Sequence, residues 1–193
     1  MAQATEQAGT RQTAIIEAAR GVFLRYGFKK TSMDDLARAA GISRQGLYLH
    51  FPTKEALFKA MVVRSVEAMR ADAKKALTRE DVDIESRLLG AFVAMHGKAV
   101  GSENLDELFA TTVELVGSLI RDLQESVISD VARVLRGSGT SARWKETGAS
   151  AKDLAEHLSA VSEGLKRKVK TPDEFRDRMR LAIRLVCSGA CTV

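Results

Sequence analysis

The chain has 193 residues, 45% of them hydrophobic, with two Pro, two Cys and a formal net charge of +5. That composition supplies a buried core and argues against extended disorder. No apolar run approaches the ~18 residues of a membrane span, and residues 1–10 lack the apolar stretch of a secretory signal. A cytoplasmic protein without a membrane partner is therefore expected. The charge is uneven: residues 1–60 carry nine basic side chains against five acidic ones, and the remainder is nearly neutral. A polyanion is a possible partner for the first third only, although a solvated basic face would have the same composition.

In chain order, Ile15, Ala18, Ala19, Val22, Phe23 and Tyr26 recur at helical spacing and predict one amphipathic helix, with Gly27 just past its end. Thr31 or Ser32 caps a second helix, and Asp35 is placed to close a capping box on Ser32. Gly41 ends it after few residues. Ser43 caps a third helix that stops before Pro52, and Thr53 caps a fourth reaching to about Leu77. Five more follow. One starts at Asp83, and another starts at Asn104 with Glu107 three residues on. A break at Gly117 precedes a segment to Arg136, and the last two helices open at Ser150 with Asp153 and at Thr171-Pro172 with Glu174. Residues 137–148, rich in Gly, Ser and Thr, read as a loop. The fold class is all-α with about nine helices, divided into residues 1–52, of which 1–9 form a disordered arm, and residues 53–193.

Residues 31–58 hold the most informative pattern. Two short helices joined at Gly41 have the skeleton of a helix-turn-helix, with Leu36, Ala40, Ile42 and Leu47 apolar where the pair must pack and Ala37 small at their closest approach. Arg44 and Gln45 open the second of them, where a guanidinium can fork onto guanine and a carboxamide can pair adenine. Gly46 lets the backbone approach the groove. Lys54 places a cation in the first turn of a helix, against the macrodipole, a conflict that a bound phosphate would remove. Thr31 and Ser32 are placed to combine capping with a phosphate contact.

From the amphipathic first helix through Tyr48, His50 and Phe51 to Lys54, Leu57 and Phe58, the segment resembles the DNA-binding signature of the TetR/AcrR family. The resemblance covers about residues 11–60. It implies that Tyr48 and His50 contact phosphates, with helix packing as their alternative role, and that Phe51 and Phe58 are core. It also implies a dimeric repressor of a palindromic double-stranded DNA operator, with a helical second half that binds a small organic effector and dimerises.

For that second half, Phe92, Met95, His96, Phe109, Thr112, Leu115 and Trp144 are the candidate effector pocket, mixing apolar bulk with a few polar groups. Leu154, Leu158, Val161 and Leu165, with Phe175, Met179, Ile183 and Val186, are the candidate homodimer interface, the alternative being an intramolecular core stripe. His50, His96 and His157 are scattered, so neither a metal nor another cofactor is expected. No phosphate-binding glycine motif, nucleophile elbow or zincin pair suggests an enzyme. An architectural DNA-binding protein without a small-molecule switch is the alternative function. Cys187 and Cys191, four apart on one helix, sit about 5–6 Å from each other by Cβ, too far for an unstrained bridge. They read as small apolar residues.

Overall fold

The computed structural model describes residues 2–97, 99–101 and 104–189, with the backbone alone described for residues 2–9 and 105. Among the described residues there are α-helices and short helical turns and no strand. Helix α1 is Ala2–Tyr26, α2 Met33–Ala39, α3 Arg44–His50, α4 Lys54–Leu77 and α5 Ile84–Phe92. A π turn, Val93–Gly97, extends α5; α6 is Leu105–Gly137, a 3-10 segment is Thr140–Thr147, α7 is Ala151–Lys168 and α8 is Pro172–Ser188. The backbone of α1 is helical from Ala2, through the residues read from sequence as an arm.

Local chemistry sets most of the helix ends. Ser32 caps α2 in a reciprocal box with Asp35, Ser43 caps α3 through Gly46 N–H, and Ser150 and Asp153 form a second box at α7. Thr53 Oγ1 accepts from Ala56 N at the start of α4, and Asp83 accepts from Ser86 N at the start of α5. Thr171 caps α8 with Pro172 in its first turn; the Glu174 carboxylate closes onto Lys170 N–H at 3.2 Å. Each such cap satisfies N–H groups that the helix leaves unpaired, worth about 1 kcal/mol. The break expected at Gly117 falls one residue earlier: Val116 has φ −148° inside α6 and bends it.

The chain forms two units, Met1–Val66 with Ser102–Ile120, and Glu67–Gly101 with Arg121–Val193. This division differs from a boundary at residue 52. The first half of α4 stays with the N-terminal helices because Leu57 and Phe58 are fully buried there, Phe58 edge-on to Phe23 of α1 at 5.2 Å. Ile15, Ala19, Phe23, Leu36 and Leu47 complete that core, whereas Tyr26, the last residue of the α1 stripe, is half exposed.

In the second unit α8 packs against both α5 and α7. Leu154 and Leu158 of α7 and Phe175, Met179, Ile183 and Val186 of α8 are all buried within the single chain, and Val161 and Leu165 are half-buried. The stripe expected at a dimer interface is therefore an intramolecular core stripe. Helical spacing identifies which residues share a face but not what covers that face. The large apolar side chains that α8 leaves in solvent are Leu181 and Leu185.

The loop expected over 137–148 is mostly the 3-10 segment. Gly139 and Gly148, at φ +75° and +77°, bracket it. Trp144 Nε1 donates to Val186 O at 2.8 Å and the Arg143 guanidinium donates to Cys187 O, so this segment closes the C-terminal end of α8. Cys187 is buried, and burial first, with Glu85 second, pushes its thiol up to about 11. It stays protonated and unreactive at neutral pH. Cys191 lies outside the described residues.

Candidate nucleic-acid interface

The turn between α2 and α3 follows from Gly41. Its φ of +66° lets the chain reverse while Gly41 N–H bonds Arg38 O and Ile42 N–H bonds Ala37 O, a Schellman closure of α2. Leu36 and Leu47, both fully buried, clamp the two helices to the core, so α3 presents its other side to solvent. These are the elements of a helix-turn-helix with α3 in the reading position.

On that exposed side Arg44 is oriented rather than loose. Its guanidinium donates to Asp34 Oδ2 at 3.1 Å and to the Tyr48 hydroxyl at 3.4 Å, and lies 5.6 Å from the Tyr48 ring centroid. Tyr48 first, then Asp34, raises its already high pKa. The ion pair is solvent-exposed on both sides and therefore weak, so Arg44 can exchange a carboxylate for a base edge. Gln45 and Tyr48 are exposed and His50 is half-buried. At Gly46 a Cβ would lie 3.2 Å from Ser43 Oγ, so the glycine keeps room for the N-cap as well as for the groove.

Two sequence-based assignments are corrected. Thr31 is 3% exposed and its hydroxyl donates to Gly27 O at 2.6 Å, so it locks the α1–α2 turn and has no group to offer a phosphate. Ser32 is exposed, with its hydroxyl in the capping box. Lys54 does not point outward. Its ammonium donates to Phe28 O and Thr31 O, each at 2.9 Å, and sits 4.3 Å from the Phe28 ring centroid. Within the chain, the dipole conflict at the start of α4 is answered by two carbonyls and a ring face. Phe28, a half-buried residue without a place in the helical stripes, also stacks on Phe23 at 5.8 Å and meets Phe58 edge-on at 5.0 Å.

The same turn is held by the beginning of α6. Asn104 donates to Arg25 O at 2.9 Å and Glu107 accepts from Lys29 N at 2.7 Å. Gly27, at φ +80°, lies so close that a Cβ would meet Glu107 Oε2 at 2.6 Å.

The candidate effector residues are divided between the two units. Phe92, Met95 and His96 are buried in the second unit. Phe109, Thr112 and Leu115 belong to the first, where Thr112 bonds its own helix at Leu108 O. Trp144 is engaged at the end of α8. His96, carried by the π turn, faces Ser162 Oγ through Nδ1 at 3.1 Å and Phe175 edge-on. Burial, then Lys166, lowers its pKa to about 4, with Glu163 opposing, so the imidazole is neutral at neutral pH. Lys166, 9% exposed, pairs with Glu163 at 3.2 Å, whose other oxygen accepts from Gln124.

Residues 15–61 match the family model described as bacterial regulatory proteins, tetR family. Over 82 residues the chain is 33% identical to the HTH-type transcriptional repressor ComR of Escherichia coli K12, a match covering 42% of this chain and 39% of that protein. Over 120 residues it is 30% identical to the HTH-type transcriptional regulator UidR of Escherichia coli K12, covering 62% and 57%. These matches span less than two thirds of the relatives' own length. Among solved structures, reduced NemR of E. coli aligns with a TM-score of 0.69 at 17% identity, covering 95% of this chain and 98% of NemR. The TetR-family regulator PfmR of Thermus thermophilus aligns at 0.62 and 22% identity, covering 92% and 99%. The likeness to these structures is one of fold.

The Lys54 geometry predicts a defect that appears without DNA. Lys54→Ala removes two charge-assisted hydrogen bonds and a ring contact, and should lower stability by about 1–3 kcal/mol in urea unfolding of the free protein. An unchanged midpoint would mean that the ammonium is not held by the turn.

Proposed function

We propose that the chain, whose residues 15–61 match the model of the tetR family of bacterial regulatory proteins, is a sequence-specific DNA-binding transcriptional regulator acting in the cytoplasm as a homodimeric repressor. The observation that carries this reading is α3: short, capped, clamped by Leu47, and presenting Arg44, Gln45 and Tyr48 to solvent beside a closed Schellman turn. Arg44, already directed by Tyr48 and Asp34, has the planar fork that matches guanine O6 and N7. Tyr48 and His50 flank it as backbone contacts, and they fix register without reading sequence.

Two copies are required because one short helix reads too few base pairs, and inverted half-sites about one helical turn apart match a two-fold dimer. The dimer face we assign is the outer side of α7 and α8. There Leu181 and Leu185 are 60% and 62% exposed, and Ala160 and Gly164 leave α7 low enough for close approach. The buried stripe beneath supports this face from inside.

Effector binding is assigned to the second unit, around the π turn with Met95 and His96. A π turn inside a helix is a recurrent device at functional sites, and the neutral His96–Ser162 pair is a polar anchor within an apolar interior. The chemistry of that anchor suits an uncharged, largely apolar organic molecule with one hydrogen-bonding group. Release from DNA by such a molecule is the property that separates a repressor from an architectural protein of the same fold.

Two outcomes are expected. Arg44→Ala should weaken binding to a selected operator by about 1–3 kcal/mol per half-site and relax preference at one base position; equal loss on every single-base variant would remove Arg44 from base reading. Leu181→Glu should give a folded monomer by light scattering, since it sets a carboxylate against its own symmetry copy. A full-size dimer would move the interface away from this face.

A further inference from the structure

Leu49 is 85% exposed, more than any other large apolar side chain among the described residues. A single surface leucine ordinarily needs no explanation. This one has a special position. At about 100° per residue, Leu49 and Gln45 each lie about 160° around α3 from Leu47, the residue that anchors the helix to the core. Four residues apart, they form one ridge along the side farthest from the core. Arg44 and Tyr48, in contact with each other, lie together along one side of that ridge. If α3 is the reading helix, this ridge enters the groove first.

We propose that Leu49 is a specificity residue that reads the 5-methyl group of a thymine in the major groove. The proposal rests on the DNA-binding reading above and adds to it a contact that the polar residues of α3 cannot make. Base-pair edges in the major groove present acceptors, amino donors and one apolar group, the thymine methyl. The branched end of Leu49 can offer a base edge no hydrogen bond. Against an amino group or carbonyl it would displace water and leave that polar atom without a partner, which is unfavourable. Against a methyl it covers apolar area on both sides, which is favourable. The same side chain therefore selects thymine and disfavours the alternatives.

The geometry also gives the register. Four residues separate Gln45 from Leu49, a rise of about 6 Å, against about 3.4 Å between successive base pairs along one strand. The thymine should thus lie one or two base pairs from the position read by Gln45. Because Leu49 is exposed, replacing it removes no core contact, and the variant should fold as the parent does.

The test uses the full chain and duplexes enriched by it from a random pool. Each thymine of the enriched site is replaced in turn by deoxyuridine, which lacks only the methyl, and binding is measured for the parent, Leu49→Ala, Leu49→Met and Gln45→Ala. One thymine per half-site is expected where the replacement weakens the parent by about fourfold per half-site, the equivalent of one buried methylene. It should lie within two base pairs of the position whose preference Gln45→Ala removes. Leu49→Ala should bind both duplexes alike there, and Leu49→Met should restore part of the discrimination. The proposal is overturned if the deoxyuridine losses are the same in parent and Leu49→Ala at every position, or if no thymine methyl matters. A pool in which no sequence is enriched is a different result: it overturns the DNA-binding reading itself, and this inference with it.

Discussion

The ammonium of Lys54, held between two carbonyl oxygens of the α1–α2 turn and over the Phe28 ring, is the contact on which the N-terminal unit depends. Those carbonyls belong to a turn that has left helical geometry at Gly27 and not yet entered α2, so a donor from elsewhere must help satisfy them. Lys54 supplies that donor from the first turn of α4, where a cation would otherwise be unfavourable. One interaction thereby answers both problems, and it ties the residues just after α3 to the residues just before α2. With the Schellman closure on the other side, α3 is fixed at both of its ends. A reading helix must be fixed in this way, because side chains that discriminate bases need positions good to a fraction of an ångström.

The second unit is organised differently. Its helices are held by an apolar core in which α8 packs against both α5 and α7, and by a small number of polar groups that find one another inside it. These are His96 with Ser162, and Lys166 with Glu163 and Gln124. Among the described residues no buried side-chain nitrogen or oxygen lacks a hydrogen-bond partner. Such satisfied polar groups in an apolar interior constrain which packing the helices adopt and offer an exchange partner to an entering ligand. α4 and α6 contribute residues to both units, and the bend at Val116 divides α6 close to the division between them.

What was legible in the sequence was what short-range chemistry determines. Ser32, Ser43, Thr53, Ser150 and Thr171 each cap the helix they precede, because the bond is made within three residues and the spacing alone specifies it. The turn at Gly41 was legible for the same reason. Lys54 was misread because its partners lie 26 and 23 residues away, and a long side chain at a helix start points as well to solvent as to a neighbouring turn. The stripe of Leu154 and Leu158 was legible as a stripe but not as a core, since periodicity does not name the covering surface. The 3-10 segment was hidden because Arg143 and Trp144 order it through carbonyls more than forty residues on. Leu49 could have been found from its spacing to Gln45.

The most direct test of this account is the salt dependence of operator binding for Lys54→Ala beside the parent. Each phosphate contact contributes about 0.9 to the slope of log affinity against log salt, and two half-sites double the effect. If the ammonium serves the α1–α2 turn, the variant binds more weakly because its reading head is less well fixed, while the slope stays that of the parent. A slope smaller in magnitude by about 1.8, with the stability of the free protein unchanged, would show that Lys54 holds DNA phosphates and would contradict the role assigned to it here.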